Sequence, residues 1–477
     1  MKIQNLKQID KTLRRKIGYY STPSFMAEFM VSEMMKLNPK GKKALDPAVG
    51  DEVLLIPFQK EDIETVGYDI NRYKEEYKCK FHTKDFIKAF IENEDILKNN
   101  SFDYIILNPP AVSQKLIKHE IDIKNLQKFF PEAYQNFFAV FLSACIDIAK
   151  EGCIIGALVP DSLLYAKGYH TLRQKILKNC SISHIILCPE DTFRKTGANL
   201  SACILILQKT SALRDIFVLD RPPTTLSFQK LIKENRWIVK SLYEITLNDE
   251  WGNIISPILN SQLKDFMETT PKIGELYKVV GGVSTGNESI FISPERKKGF
   301  TYPYFTNSCF KFISEPNSWL RDDFMEFGKA RKNFIPRHPE FYNKEGIVCS
   351  ATGKRFSASY LPFDGIVRTN ASIFPPDEDI WWLLAYLNSS FVTFIVKGII
   401  SRGNLTTIGN VFSIPLPDFP EKIKENLSQI AKQAVSGNRP EKDVLSQIDS
   451  LIETHLKLSR DTISQIHHFC SDLTHLV

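Results

Sequence analysis

The chain has 477 residues, 43% hydrophobic and 24% charged, which is more than one ordinary core can hold and predicts two or three globular domains. A net charge of +6 and a pI near 8.6 allow a nucleic-acid partner without demanding one. Nine cysteines scattered without a Cys-x-x-Cys pair, no signal-peptide core in residues 1–15 and no uninterrupted membrane-length apolar span argue against a secreted or membrane protein; a soluble, cytoplasmic one is expected.

Residues 18–37 open with Tyr19-Tyr20-Ser21-Thr22-Pro23, followed by Phe25, Met26, Phe29, Met30 and Met34 at helical spacing. Ser21 or Thr22 is expected to cap this helix, with Pro23 in its first turn. A short strand then runs into Asp46-Pro47-Ala48-Val49-Gly50-Asp51-Glu52, a tight turn whose backbone can approach a ligand closely. Residues 66–70 read as a second strand closing on Asp69 and Ile70, an acid placed to accept hydrogen bonds from ribose hydroxyls. A third strand end carries Asp85-Phe86. The fourth strand, Tyr104-Ile105-Ile106-Leu107, is apolar and branched, and Asn108-Pro109-Pro110 stops it abruptly. All these tips are polar, and open α/β sheets bind ligands at that edge.

Residues 133–150 predict a helix closed by Gly152, and residues 153–159 an apolar strand ending at Pro160-Asp161. A helix over 169–177 and strands over 184–188 and 202–207 follow. The loop 190–200 has no room for a helix, so the last two strands are expected to pair antiparallel at the sheet edge. The alternation predicts an α/β fold: a Rossmann-like, doubly wound, mostly parallel sheet with an antiparallel edge hairpin.

Residues 213–270 read as a connector, with Pro222-Pro223 and the Trp237/Trp251 pair, after a domain spanning 1–212. Strand-forming sequence restarts at 271–420 as a mixed α+β domain. Its basic residues, including Arg296, Lys329, Arg331, Arg337, Lys354 and Arg355, are interleaved with Tyr302, Tyr304, Trp319 and Phe334, which suits a phosphate backbone and unstacked bases. Residues 381–398 predict one long apolar helix, and 421–477 a tail of amphipathic helices offering a pairing surface. No metal site is expected.

The Asn108-Pro109 pair carries the chemistry. Asn108 offers an amide oxygen and Pro109 a backbone carbonyl whose residue ties up no donor. Two fixed acceptors suit an amino group that must shed a proton while it attacks an electrophile. Such a nitrogen is a poor nucleophile when its lone pair is delocalised into a ring, and two accepted hydrogen bonds draw it towards a tetrahedral form.

Thr22-Pro23, Asp46-Pro47-Ala48-x-Gly50, Gly67-x-Asp69, Asp85-Phe86, Asn108-Pro109-Pro110, the Gly152 turn, Val159-Pro160 and the hairpin occur in that order. The chain thereby resembles the gamma-class DNA adenine-N6 methyltransferases of bacterial restriction–modification systems. The resemblance implies that Thr22, Pro23, Asp46, Ala48, Gly50, Asp69, Ile70, Asp85, Phe86 and Asn108 bind S-adenosylmethionine. Asn108, Pro109 and Pro110 would hold the target base, with Phe193 stacking on it and Ala111 beside it. Arg194, Lys195, Thr285, Asn287, Lys354, Arg355 and Arg402 would face double-stranded DNA, the last five from a target-recognition domain opened by the Gly-x-x-Thr-Gly-Asn stretch ending at Asn287. A cognate endonuclease or specificity subunit is an expected partner.

Three residues depart from that pattern. Ala111 stands where Tyr, Phe or Trp is usual, and Glu52 where a second glycine is usual, so a Cβ and a carboxylate are expected near the cofactor. Pro57 is expected to interrupt the following helix. The leading reading is therefore an adenine-N6 methyltransferase, and the alternative a methyltransferase-like DNA-binding protein impaired in transfer. Methylation of a planar amide in protein uses the same loop chemistry, but the long basic, aromatic second half argues against it.

Overall fold

The computed structural model describes residues 21–93, 102–111, 123–193, 201–212, 215–305, 312, 316, 318–437 and 441–475. The chain divides into two compact units, Met1–Lys264 and Asp265–Val477.

The first unit is built on a nine-stranded sheet of order β3-β2-β1-β4-β5-β7-β6-β8-β9. Its strands are β1 (Lys43–Asp46), β2 (Glu64–Asp69), β3 (Lys80–Thr83), β4 (Tyr104–Leu107), β5 (Ile154–Pro160), β6 (Ser181–Leu187), β7 (Ala202–Gln208), β8 (Ile216–Leu219) and β9 (Ile238–Lys240). β3 through β5 run parallel, so their carboxyl ends share one edge. Side chains alternate across the sheet: Ile105 and Leu107 join one core and Tyr104 and Ile106 the other. Helices α1 (Ser24–Leu37), α2 (Ile56–Lys60), α3 (Phe86–Ile91), α4 (Phe137–Ile148), α5 (His170–Asn179) and α6 (Thr225–Lys233) accompany the strands. Met26, Met30 and Met34 of α1 pack on the Ile106 side, and Phe137, Phe138, Phe141 and Leu142 of α4 on the Ile105 side. Burial on both faces explains why β4 and β5 are apolar throughout rather than alternating, while β6 buries Ser181, Ser183 and His184 among its apolar residues.

The hairpin β6–β7 is antiparallel as expected, with β7 inserted between β5 and β6. The sheet then continues past it, because β8 pairs parallel to β6 and β9 antiparallel to β8. Residues read as a connector over 213–270 thus supply two strands, and the first unit runs to Lys264. These strands have four and three residues, too short for their periodicity to stand out beside Pro222-Pro223. Arg173, 1% exposed, fastens this extension: it donates to the carbonyls of Leu163 and Ala166 and twice to that of Gly252.

The second unit holds two four-stranded sheets, of order β10-β17-β14-β15 and β11-β13-β12-β16. The strands are β10 (Lys278–Gly281), β11 (Ile292–Ser293), β12 (Phe300–Phe305), β13 (Ser318–Arg321), β14 (Gly346–Cys349), β15 (Ala358–Leu361), β16 (Ile366–Val367) and β17 (Ala371–Phe374). The long helix expected over 381–398 is broken into α7 (Ile380–Leu387) and α8 (Ser390–Phe394), the latter running into a π-helical turn, Ile395–Ile400, with a bend of 66°. Asn388 causes the break: its side chain accepts from Ala358 N at 3.0 Å and donates to Ala358 O at 2.8 Å, docking on β15, while Ser389 caps α8. No single helix among the described residues is long and apolar enough to cross a membrane; the bent pair together has such a composition, and its side chains are largely buried inside this unit.

The expected amphipathic tail appears as α9 (Glu421–Val435), α10 (Glu441–His455) and α11 (Arg460–His475). Its apolar faces, with Leu427, Ile448, Ile452 and Ile466, are buried, and Asp449 Oδ1 accepts from Ser390 N at 2.7 Å. The tail thus closes the core of the second unit.

Candidate active site

Pro23 sits at the N-cap just before α1, with φ −58° and ψ 136°, rather than in its first turn, and neither Ser21 nor Thr22 caps the helix with its side chain. Both hydroxyls are used at the sheet edge instead. Ser21 Oγ donates to Asp51 Oδ2 at 3.1 Å, and Thr22 Oγ1 accepts from Asn108 Nδ2 at 2.9 Å. With its nitrogen given to Thr22, the Asn108 amide keeps its oxygen as the acceptor end. Pro109 is buried, and Asn108, Pro110 and Ala111 are partly exposed.

The turn after β1 is fixed from several sides. Ala48 N donates to Asp46 Oδ1 at 3.0 Å, Gly50 N to Asp69 Oδ2 at 3.1 Å, and Asn71 N to Asp69 Oδ1 at 2.9 Å. Tyr77 donates to the Gly50 carbonyl at 2.8 Å, and Gly50 itself has φ +53°. Asp46 is 1% exposed, and its Oδ2 has no hydrogen-bond partner among the described residues. Burial, then the charges of Asp69 and Asp51, push its carboxyl up to about 8 against the opposing Ala48 N–H. Burial pushes Asp69 up to about 6, with the N–H groups of Asn71, Gly50 and Ile70 opposing. Ile70 lies beyond it, 53% exposed. A buried acid with an unsatisfied oxygen beside two more carboxylates favours a cationic ligand.

Glu52 does not reach towards that ligand space. It takes the left-handed conformation expected of the missing glycine, φ +72°, and its side chain turns inward with no exposure. There it accepts from Gln59 Nε2, Lys74 Nζ and Cys79 N, each at 2.6 Å, and from Lys78 N at 3.3 Å. Pro57 does not interrupt a helix either, because α2 begins at Ile56 and proline is tolerated in the first turn.

Asp85 caps α3, accepting from Ile87 N at 2.9 Å and Lys88 N at 3.2 Å, rather than ending a strand. Phe86 is 2% exposed and packs between Tyr68 and Phe141 in the core. Phe193 is 3% exposed, clustered with Ile186, Cys188 and Phe228 rather than presented to solvent. Arg194 and Lys195 lie outside the described residues. The segment leading to Phe193 is braced by long-range contacts without a local sequence signal: Asp191 Oδ1 accepts from Thr225 N at 3.0 Å and Thr225 Oγ1 at 2.8 Å, and Arg221 pairs with Asp161 while donating to Cys188 O at 3.3 Å.

In the second unit Thr285 is 4% exposed, whereas Asn287 is exposed and accepts from Ser289 Oγ at 2.7 Å. Lys354, Arg355 and Arg402 come together on two loops joined by backbone hydrogen bonds, Gly353 N to Asn404 O at 3.0 Å and Thr406 N to Ala351 O at 2.9 Å. No cluster of His, Cys, Asp and Glu among the described residues could hold a metal ion.

Residues 32–193 match the Eco57I restriction-modification methylase family, and residues 313–412 match the TaqI-like C-terminal specificity domain. Type II methyltransferase M.PstI of Providencia stuartii is 23% identical over 266 residues, 48% of this chain and 52% of its own length, so the match spans about half of that relative. Among solved structures, Type IIL restriction-modification enzyme MmeI in complex with DNA aligns with a TM-score of 0.66 at 10% identity, covering 99% of this chain and 81% of that one. The DrdV–DNA complex aligns with a TM-score of 0.58 at 12% identity, covering 90% of this chain and 58% of that one. The first unit has a class I methyltransferase fold, a mostly parallel doubly wound sheet with an antiparallel edge hairpin, and residues 313–412 resemble a TaqI-like domain. Two stretches of the chain are thus similar to a restriction–modification methylase and to a specificity domain.

Proposed function

We propose that this chain transfers a methyl group from S-adenosylmethionine to the exocyclic N6 of an adenine turned out of double-stranded DNA, as the cytoplasmic modification component of a restriction–modification or phage-defence system. The observation that carries the reading is the Asn108 amide, pinned through its nitrogen by Thr22 at the sheet edge that also presents Asp46 and Asp69. Family matches to a methylase and a specificity domain support it.

The cofactor-side residues fit a cationic nucleoside. Asp46, buried with an unsatisfied oxygen, would take positive charge, Asp69 the ribose hydroxyls, and Ile70 an apolar ring face. S-adenosylmethionine, once bound, supplies an electrophilic methyl on its sulfonium. Asn108 Oδ1 and the Pro109 carbonyl accept hydrogen bonds from the adenine amino group and aim its lone pair. The bound cofactor would supply the methyl group to the nitrogen held by Asn108 and Pro109, and the amino group would give up one proton to solvent. No strong base is required, since positioning and fixed dipoles supply most of the effect.

A second reading, a DNA-binding relative impaired in transfer, is favoured by Ala111 and by the burial of Phe193, which together leave no described ring at the loop to stack on an extruded base. Such stacking is worth roughly 1–3 kcal/mol per base. The two readings separate on product. Purified chain is incubated with unmethylated DNA and methyl-labelled cofactor, and the DNA is digested to nucleosides. N6-methyladenine from the wild type, reduced at least about 100-fold in Asn108→Ala with DNA affinity retained, is expected. Label in cytosine or in protein would overturn the proposal, and DNA binding without any label would favour the second reading.

A further inference from the structure

Lys397 lies in the π-helical turn, 5% exposed, and among the described residues no acidic side chain is its hydrogen-bond acceptor. Its ammonium donates to Gly403 O and Asn404 O, both at 3.1 Å, and to Thr406 Oγ1 at 2.8 Å. A buried lysine is costly unless its donors are satisfied, and here all three go into one short loop. Loop 402–406 is held equally firmly from the other side. Asn404 O also takes Gly353 N at 3.0 Å, Thr406 N donates to Ala351 O at 2.9 Å, and Ser401 Oγ donates to Leu405 O at 2.7 Å. Thr352 and Leu405 form an antiparallel bridge.

Asn404 O, Leu405 O and Thr406 N are thus committed, yet the Leu405 side chain itself is 66% exposed. A slack loop could tuck this leucine against the protein, where full burial stabilises by about 1.5–3 kcal/mol. The anchored loop leaves the side chain in solvent, on a strand of loop that also carries Arg402 and whose backbone pairs with the loop bearing Lys354 and Arg355. A partner with both anionic groups and apolar edges matches this surface. Duplex DNA has both, in its phosphates and in thymine methyls or base steps.

We infer that loops 351–355 and 402–406 form a preorganised DNA-reading clasp in which Leu405 makes an apolar contact to bases and Lys397 is the positioning residue. The inference rests on the proposed DNA function and goes beyond it in assigning sequence discrimination to an uncharged side chain. Arg402 and Lys354 supply charge and register, and the discrimination comes from an apolar group that only a rigid loop can aim.

The test uses the full chain as wild type, Leu405→Ala, Lys397→Met and Lys397→Arg. Binding is measured across salt to a duplex enriched from a random pool by the wild type, and to a scrambled duplex. Leu405→Ala should lose about tenfold in the ratio of the two affinities, with its salt dependence and cofactor affinity unchanged. Lys397→Met should lose the same ratio and also flatten the salt dependence, and Lys397→Arg should restore part of both. An unchanged ratio in Leu405→Ala overturns the clasp even if Lys397→Met fails to fold. A wild type that binds neither duplex overturns the DNA function and the clasp with it.

Discussion

Glu52→Gly is an informative substitution, because local and non-local physics give it opposite signs. Glycine would relieve the left-handed backbone at φ +72°, worth roughly 1–2 kcal/mol. Against this, the carboxylate satisfies Cys79 N, a buried donor whose loss costs about 1–3 kcal/mol. It also accepts from Gln59 and Lys78, for a further net loss on the order of 1–2 kcal/mol. Lys74 is 34% exposed and can rehydrate, so its share is discounted to below about 1 kcal/mol. The net expectation is destabilisation of about 2 kcal/mol, or roughly 4–8 °C in Tm for a domain of this size. Glu52→Gln, which keeps an acceptor for Cys79 N, should fall between the two. Burial raises the Glu52 carboxyl pKa, but hydrogen bonds from Lys74, Gln59, Cys79 and Lys78 together hold it below the ordinary value. Its stabilisation is therefore present above the unfolded pKa and is lost as pH falls through the folded one, so the gap between wild type and glycine variant should narrow in acid. Urea and thermal unfolding at neutral and acid pH measure both effects. A glycine variant as stable as the wild type at neutral pH would refute the reasoning.

The remaining predictions concern the candidate site. Thr22→Val removes the acceptor for Asn108 Nδ2 and should lower kcat by about tenfold with DNA affinity intact, and an unchanged kcat would mean the amide is oriented by something else. Ala111→Tyr should maintain or raise transfer if the missing ring is a handicap; a clear loss would show the loop is built around a small residue. Asp46 titrates near 8 in the folded chain, so this group's contribution to stability falls as pH rises from its unfolded value to about 8. A cationic cofactor should displace its proton at pH 7, making the calorimetric binding enthalpy differ between buffers of different ionisation heat. Asp46→Asn should abolish that difference, and equal enthalpies for the wild type would contradict the assignment.

Much of the catalytic half was legible because its determinants are local. Asn108-Pro109-Pro110 had to end a strand, and Asp46 and Asp69 had to lie at the same edge once those strands were read as parallel. What sequence could not show was direction and partnership. Glu52 reads as an intrusion into the cofactor turn, yet it folds inward because Lys74, Cys79 and Gln59 wait beneath, more than one element away. Ser21 and Thr22 read as helix caps, and long-range contacts to Asp51 and Asn108 claimed them. Phe193 reads as a stacking ring, yet it is buried in the core, with Phe228 of the supposed connector in the same cluster. Asn388 sits inside an apolar helical pattern, and only the distant edge of β15 explains why the helix breaks there.

The central claim is tested most directly by long-read modification sequencing of genomic DNA from a non-methylating host that expresses this chain. N6-methyladenine confined to one recurring sequence, and absent from a host expressing Asn108→Ala, is the result the account predicts. Unmodified DNA from cells holding well-folded protein that binds S-adenosylmethionine and duplex DNA would contradict it.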